Sequence, residues 1–184
     1  MKTALLAEPA MPSEVGLIQQ FITRPTPSAV LGVGDDAALL QLSAGKLLAV
    51  SSDMLVAGRH FLPDTDPYLL GHKTLAVNLS DLAAMGATPR WATLALALPA
   101  VDEAWLSAFS RGFFDLADRF GVELIGGDTT AGPLNLCVTI FGETDARPLR
   151  RDAAQVGDDI WVSGDLGGAA LGLAHLLGET ALND

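Results

Sequence analysis

Hydrophobic and polar positions along this chain follow two periods in turn, and the changes of period mark its elements. Residues 46–52, "KLLAVSS", are a run of short side chains ending at Asp53, which predicts a strand with that carboxylate at its terminus. The stretch "DPYLLGHKTLAVNLSDLAAMG" switches to a helical pattern, with Asp66 as N-cap, Pro67 at the first helical position and Gly86 as C-terminal cap. Its apolar residues, Leu70, Val77 and Met85 among them, lie on both sides of the wheel. The helix is therefore expected to be largely buried, and Asn78 and Asp81 then need partners. "WATLALALP" predicts a second strand. From Asp102 to Gly121 a helix carries Trp105, Phe109, Phe113, Leu116 and Phe120 at spacings of four, four, three and four, a core stripe. "VELI" is a third strand and runs into "GGDTTAGP". "LNLCVTIFGE" then alternates Leu134, Leu136, Val138 and Ile140 on one face, as a half-buried strand does.

Near residue 145 the texture changes. "TDARPLRRDAAQVGDD" is polar and holds three Arg within five positions, which places a domain boundary there, with 1–145 on one side and 146–184 on the other. "DIWVSG" predicts a new strand and "LGGAALGLAHLL" the opening of a helix, so a second α/β domain starts and the chain stops partway into it. Strands and helices alternate without a short repeat. The pattern predicts an α+β fold, α/β-like in its order, with a mixed β-sheet packed with helices.

Composition narrows the partners. With 184 residues, 49% hydrophobic and 18% charged, the chain can bury a sizeable core. Its 22 acidic against 11 basic residues, a formal charge of -11, argue against nucleic acid, whose affinity rests on clustered cations. No apolar run approaches the roughly 20 residues of a membrane span. "MKTALLAEPAMPSE" meets Glu8 and Pro9 too early for a secretory leader, so a cytoplasmic protein without membrane contact is expected. The single Cys137 reads as a small buried hydrophobe.

The candidate chemistry lies in carboxylates: Asp35 and Asp36 after a Gly turn in "LGVGDDAALL", Asp53 at a strand end, Asp81 inside an apolar helix, and Asp128 in "IGGDTT". Each alone reads as turn chemistry or a buried hydrogen bond. Together they repel one another if they converge, and a cation offsets that cost. Hydroxyls at Ser51, Ser52, Thr129 and Thr130 flank the acids, and no His or Cys stands at zinc-like spacing, so Mg²⁺ or a similar hard ion is the chemical match. An EF-hand does not fit "DTDPYLLGHKTL", and no G-x-x-x-x-G-K-[ST] loop is present. "GVGDDA" meets a relaxed dinucleotide-loop pattern, but its acids would face the pyrophosphate such a loop attracts.

The segments "GVGDDAALL", "SSDMLVAGRHF", "KTLAVNLSDLAAMGATP", "LIGGDTTAGPL" and "GDDIWVSGDLGGAALGL", in this order, closely resemble the N-terminal part of the thiamine-monophosphate kinases, within the PurM-like ATP-binding superfamily. The resemblance covers nearly all of the chain. It implies a PurM-like N-terminal domain and Mg²⁺-assisted phosphoryl transfer from ATP, the co-substrate, to thiamine monophosphate, giving thiamine diphosphate. Carried over position by position, it implies Asp36, Ser51, Ser52, Asp53, Asp81 and Asp128 as metal ligands. Gly127, Asp128 and Arg151 would contact ATP, His60 the substrate, and Asp35 would support the turn. Ser110 departs from an aromatic that the family can place against the nucleotide. A homodimer is expected by analogy. Two other readings stay open here: another PurM-like ATP-dependent synthetase, and a non-enzymatic acidic module that binds divalent ions.

Overall fold

The computed structural model describes residues 14–182, and the N-terminal stretch weighed above for a leader lies outside them through residue 13. The chain divides into two compact units, Met1–Arg150 and Arg151–Asp184. The first holds α1 (Glu14–Leu17) with a π-helical turn Ile18–Ile22, β1 (Leu47–Val56), α2 (Pro67–Ala84), β2 (Thr88–Leu98), α3 (Glu103–Phe120), β3 (Glu123–Ala131) and β4 (Asn135–Thr144). The second holds α4 (Gly168–Leu176).

The sheet has four strands in the order β1-β4-β2-β3. β2, α3 and β3 form a parallel crossover unit, while β4 returns antiparallel and inserts between β1 and β2. This insertion sets the register that matters: Asp53 pairs with Val138, Val138 with Leu94, and Leu94 with Gly127. One row of backbone thus runs from one edge of the sheet to the other, three inter-strand steps or about 14 Å at roughly 4.8 Å each.

Residue alternation decides which face of that sheet is covered. Leu136, Val138 and Ile140 of β4 are fully buried, as are Ala92 of β2 and, nearly so, Leu55 of β1. α2 contributes Leu70, Leu75 and Leu82 to the same core, and α3 adds Phe109, Phe113 and Leu116. Trp105, Phe109 and Phe113 stack in sequence along α3, with ring centroids 5.0 and 6.5 Å apart. The two helices cross in close contact because both supply glycine at the crossing. A Cβ on Gly71 would lie 2.0 Å from the Phe109 carbonyl oxygen, and one on Gly112 1.9 Å from that of Tyr68.

Both helices begin and end as their sequences predict. Asp66 and Asp102 accept hydrogen bonds from Leu69 N–H and Trp105 N–H, each at 3.0 Å. Gly86 and Gly121, both with positive φ, close the C-terminal ends.

Four expectations are corrected. β1 and β3 run past the acids, so Asp53 and Asp128 are strand-interior rather than terminal. α2 buries one side only: Asn78 is fully buried, but Asp81 and Met85 are exposed. Cys137 alternates onto the sheet face away from Val138 and is only half-buried, its Sγ 3.6 Å from Ser52 Oγ. "DIWVSG" forms no strand, and Ile160 and Trp161 stay exposed. A strand without a neighbour to complete its ladder has nothing to hold it extended.

Candidate functional site

The acids fall into two groups, one at each edge of the sheet. The first is built on β1 and α2. Ser51 and Asp53, two residues apart, share the face that carries Ile140 and Val138, and α2 lies along it. Ser51 Oγ donates to Asp81 Oδ2 at 2.5 Å, and Asp53 N–H donates to Asn78 Oδ1 at 3.2 Å. Asn78 can accept there because its Nδ2 donates to the Thr74 carbonyl at 3.1 Å, which leaves neither end of the buried amide without a partner. The Asp53 carboxylate itself, half-buried, accepts no hydrogen bond among the described residues.

The second group lies at the β3 edge, in a cleft of about 590 Å³. Its apolar wall includes Ile18, Ile22, Leu94 and Leu96, and Asp35, Asp36 and Asp128 line it together with Gly127. Asp35 Oδ1 accepts the Asp36 N–H at 2.8 Å and so caps the glycine turn. The carboxylates of Asp36 and Asp128 are exposed and accept nothing among the described residues. Gly127 has φ +155°, and a Cβ there would stand 1.8 Å from the Leu94 carbonyl oxygen. The backbone beside Asp128 is therefore pressed onto β2, where only glycine fits.

Of the remaining predicted site residues, Ser52 and His60 lie apart from these groups. Ser52 alternates to the opposite face from Ser51 and Asp53, where its Oγ is 3.0 Å from Thr139 Oγ1 and donates to the Val138 carbonyl at 3.2 Å. His60 sits in the exposed turn after β1, its Nδ1 accepting from Val56 N–H at 3.1 Å. Arg151 is exposed at the start of the second unit. Ser110 is buried on α3, and its Oγ has no hydrogen-bond partner among the described residues.

No three His, Cys, Asp or Glu side chains among the described residues converge to hold a metal ion by themselves. Mg²⁺ does not require that, since it keeps several waters and is commonly held by one or two carboxylates plus substrate phosphates. The donor set is all oxygen, and its free carboxylates are split between two edges. Such a set fits Mg²⁺ carried on a row of phosphates better than an isolated ion.

The α1 wall of the cleft was missed in the sequence, although Val15, Ile18 and Ile22 recur at the three- and four-residue spacing that marks a helical face. The sequence marks Asn78 as needing a partner, and the structure supplies it: Asn78 Oδ1 fixes the Asp53 backbone.

Comparison with known proteins bears on this geometry. The family described as AIR synthase related protein, N-terminal domain, matches residues 34–144. A thiamine-monophosphate kinase of Escherichia coli K12 is 51% identical over 175 residues, which cover 93% of this chain and 54% of that protein. The crystal structure of thiamine-monophosphate kinase from Stenotrophomonas maltophilia K279a is 56% identical with a TM-score of 0.78, covering 83% of this chain and 49% of that one. A structure described as AaThiL complexed with AMPPCP and TMP is 33% identical with a TM-score of 0.71, covering 78% and 47%. The chain spans about half the length of the curated relatives it matches. No helix among the described residues is long and apolar enough to cross a membrane.

Proposed function

The chain belongs to the AIR synthase related family through its N-terminal domain, and on that premise we propose that it is the nucleotide- and metal-binding part of a thiamine-monophosphate kinase. The reaction is transfer of the γ-phosphoryl group of ATP to the phosphate of thiamine monophosphate. An oxygen of that phosphate bonds to the γ-phosphorus, the bond to the bridging oxygen breaks, and ADP leaves with thiamine diphosphate as product. The observation that carries this reading is that Asp36 and Asp128, both without hydrogen-bond partners among the described residues, line one cleft beside Gly127. The likeness to relatives named for this activity supports it.

The chemistry needs little from a protein base, because the acceptor phosphate is already largely ionised near neutral pH. What it needs is alignment of anions that repel each other. Mg²⁺, when bound, supplies the neutralising charge. In this chain Asp36 and Asp128 would hold it at one edge, and Ser51, Asp53 and Asp81 at the other. Ser52, whose hydroxyl faces the other side of the sheet, would contribute through its backbone. The Ser51–Asp81 and Asp53–Asn78 hydrogen bonds keep the β1 group in place before any phosphate arrives. Gly127 lets the β3 backbone approach the nucleotide phosphates, and Arg151 would add a cation to them. His60 would contact the thiamine substrate.

The reading extends to a cytoplasmic homodimer. Support for the pairing comes from the sheet face opposite α2 and α3, where Val50 and Met54 are 54% and 52% exposed. Incubation with γ-labelled ATP, Mg²⁺ and thiamine monophosphate tests the function. The label should appear in thiamine diphosphate and never in acid-stable protein, whereas a trapped phosphoprotein would contradict direct transfer.

A further inference from the structure

The exposed turn after β1 is tied down at both ends. His60 N–H donates to the Val56 carbonyl at 3.0 Å, and Val56 N–H returns a bond to His60 Nδ1 at 3.1 Å. Gly58 N–H donates to the Phe61 carbonyl at 2.8 Å, and the Phe61 side chain, 7% exposed, is seated in the core. The carbonyl of His60 accepts from the ammonium group of Lys73, on α2. α2 therefore grips β1 and its turn at three successive points, Asp81 on Ser51, Asn78 on Asp53 and Lys73 on His60.

A neutral imidazole that accepts at Nδ1 carries its proton on Nε2. His60 is thus held as an N–H donor whose Nε2 is turned away from its own backbone. We propose that Lys73 is a positioning residue that fixes His60 in this tautomer and direction, so that Nε2–H donates to an anionic oxygen of the phosphorylated acceptor. The inference rests on the reading of His60 as a substrate contact. Its physical basis is that the backbone of His60 is bonded on both sides, N–H to Val56 and carbonyl to Lys73, which leaves the ring few orientations. Without the ammonium group the carbonyl turns to water, the His60 backbone loses its tie to α2, and the Val56–Nδ1 bond loses its fixed geometry.

Long-range ¹⁵N spectra of the histidine rings in the 184-residue chain test the hold on the turn without any substrate, with exposed His72 as internal control. The unaltered chain should give His60 an unprotonated Nδ1 and a protonated Nε2. Lys73→Met should give mixed tautomers and about tenfold faster hydrogen exchange at the Val56 amide. Lys73→Arg, which restores a donor to the same carbonyl, should keep both signatures. Lys73→Gln serves if the Met variant does not fold. An unchanged His60 signature in the variant without the charge overturns the proposal. In the phosphorylation assay, His60→Ala and Lys73→Met should each raise KM for thiamine monophosphate about tenfold with KM for ATP unchanged, and the double variant should be no worse than His60→Ala. Additive losses would mean that Lys73 acts on the acceptor directly, against the proposal. An unchanged KM in His60→Ala would overturn the substrate contact, while the spectra judge Lys73 separately.

Discussion

The two edges of the sheet carry the same kind of side chain and treat it differently. At the β1 edge the chain completes part of its own polar network, with Asp81 engaged by Ser51 and the Asp53 backbone engaged by Asn78, while the Asp53 carboxylate accepts no hydrogen bond among the described residues. At the β3 edge Asp36 and Asp128 stand in the cleft with no hydrogen-bond partner among the described residues. On the proposed reading, one group is partly built before its ligand arrives and the other is open. Changes at the first should therefore cost stability and binding together, and changes at the second should cost binding alone.

The largest effect is expected from the open acids. Asp128→Asn should lower kcat/KM by on the order of 100-fold or more, as loss of a charge-stabilising group does. Its melting temperature should stay within about 2 °C of the unaltered protein, since the carboxylate has no partner to lose among the described residues. A large fall in stability would show that the β3 edge is also prebuilt. Gly127→Ala comes next, because its methyl group would be driven into the Leu94 backbone. Overpacking there should cost about 2–3 kcal/mol, read as a melting shift of roughly 5–10 °C. Ser51→Ala should cost about 1 kcal/mol of stability by removing the Asp81 bond, and should weaken Mg²⁺-ATP binding by about tenfold. An effect on binding without one on stability would erase the contrast between the edges.

The smallest effect is one of pH. Glu143 is buried beside β1 and accepts from Ser43 N–H at 2.6 Å and Ser43 Oγ at 2.9 Å, tying down the segment that leads into that strand. The backbone bond from Ser43, helped by the Ser43 hydroxyl, Arg90 and Lys46 against the opposing effect of burial, holds its carboxyl below the usual carboxylate range. Its stabilisation is therefore full above the unfolded value near 4.3 and is lost as pH falls through the lower folded value. Acid unfolding followed by circular dichroism should show Glu143→Gln losing less stability than the unaltered protein below about pH 4. Parallel acid limbs would mean that Glu143 does not anchor the strand.

α2 and α3 were legible in the sequence because their signals are local. Asp66 with Pro67, Asp102, and the glycines at 86 and 121 mark the ends of α2 and α3 within a few residues of chain. The four strands of the sheet were legible as strands but not in extent, since Asp53 and Asp128 lie inside ladders whose partners are distant in sequence. Nor did the sequence reveal that β4 inserts between β1 and β2, and it is that insertion which places the acids at two edges instead of one cluster. The burial expected for Asp81 failed for a related reason. Apolar residues on both sides of a helical wheel do not say which side the sheet will cover. The candidate acids could be listed from the chain alone, but the division of labour among them depends on register and packing.

That division is tested most directly at the paired acids of the glycine turn, where the two roles sit on adjacent residues. Asp35 accepts the Asp36 N–H, whereas the Asp36 carboxylate accepts nothing among the described residues and is the one proposed to meet the metal. Calorimetric titration of ATP into the protein, with and without Mg²⁺, should show binding that requires the metal. It should weaken by about tenfold or more in Asp36→Asn and by less than about threefold in Asp35→Asn. Equal losses in the two variants, or ATP binding indifferent to Mg²⁺, would contradict the account.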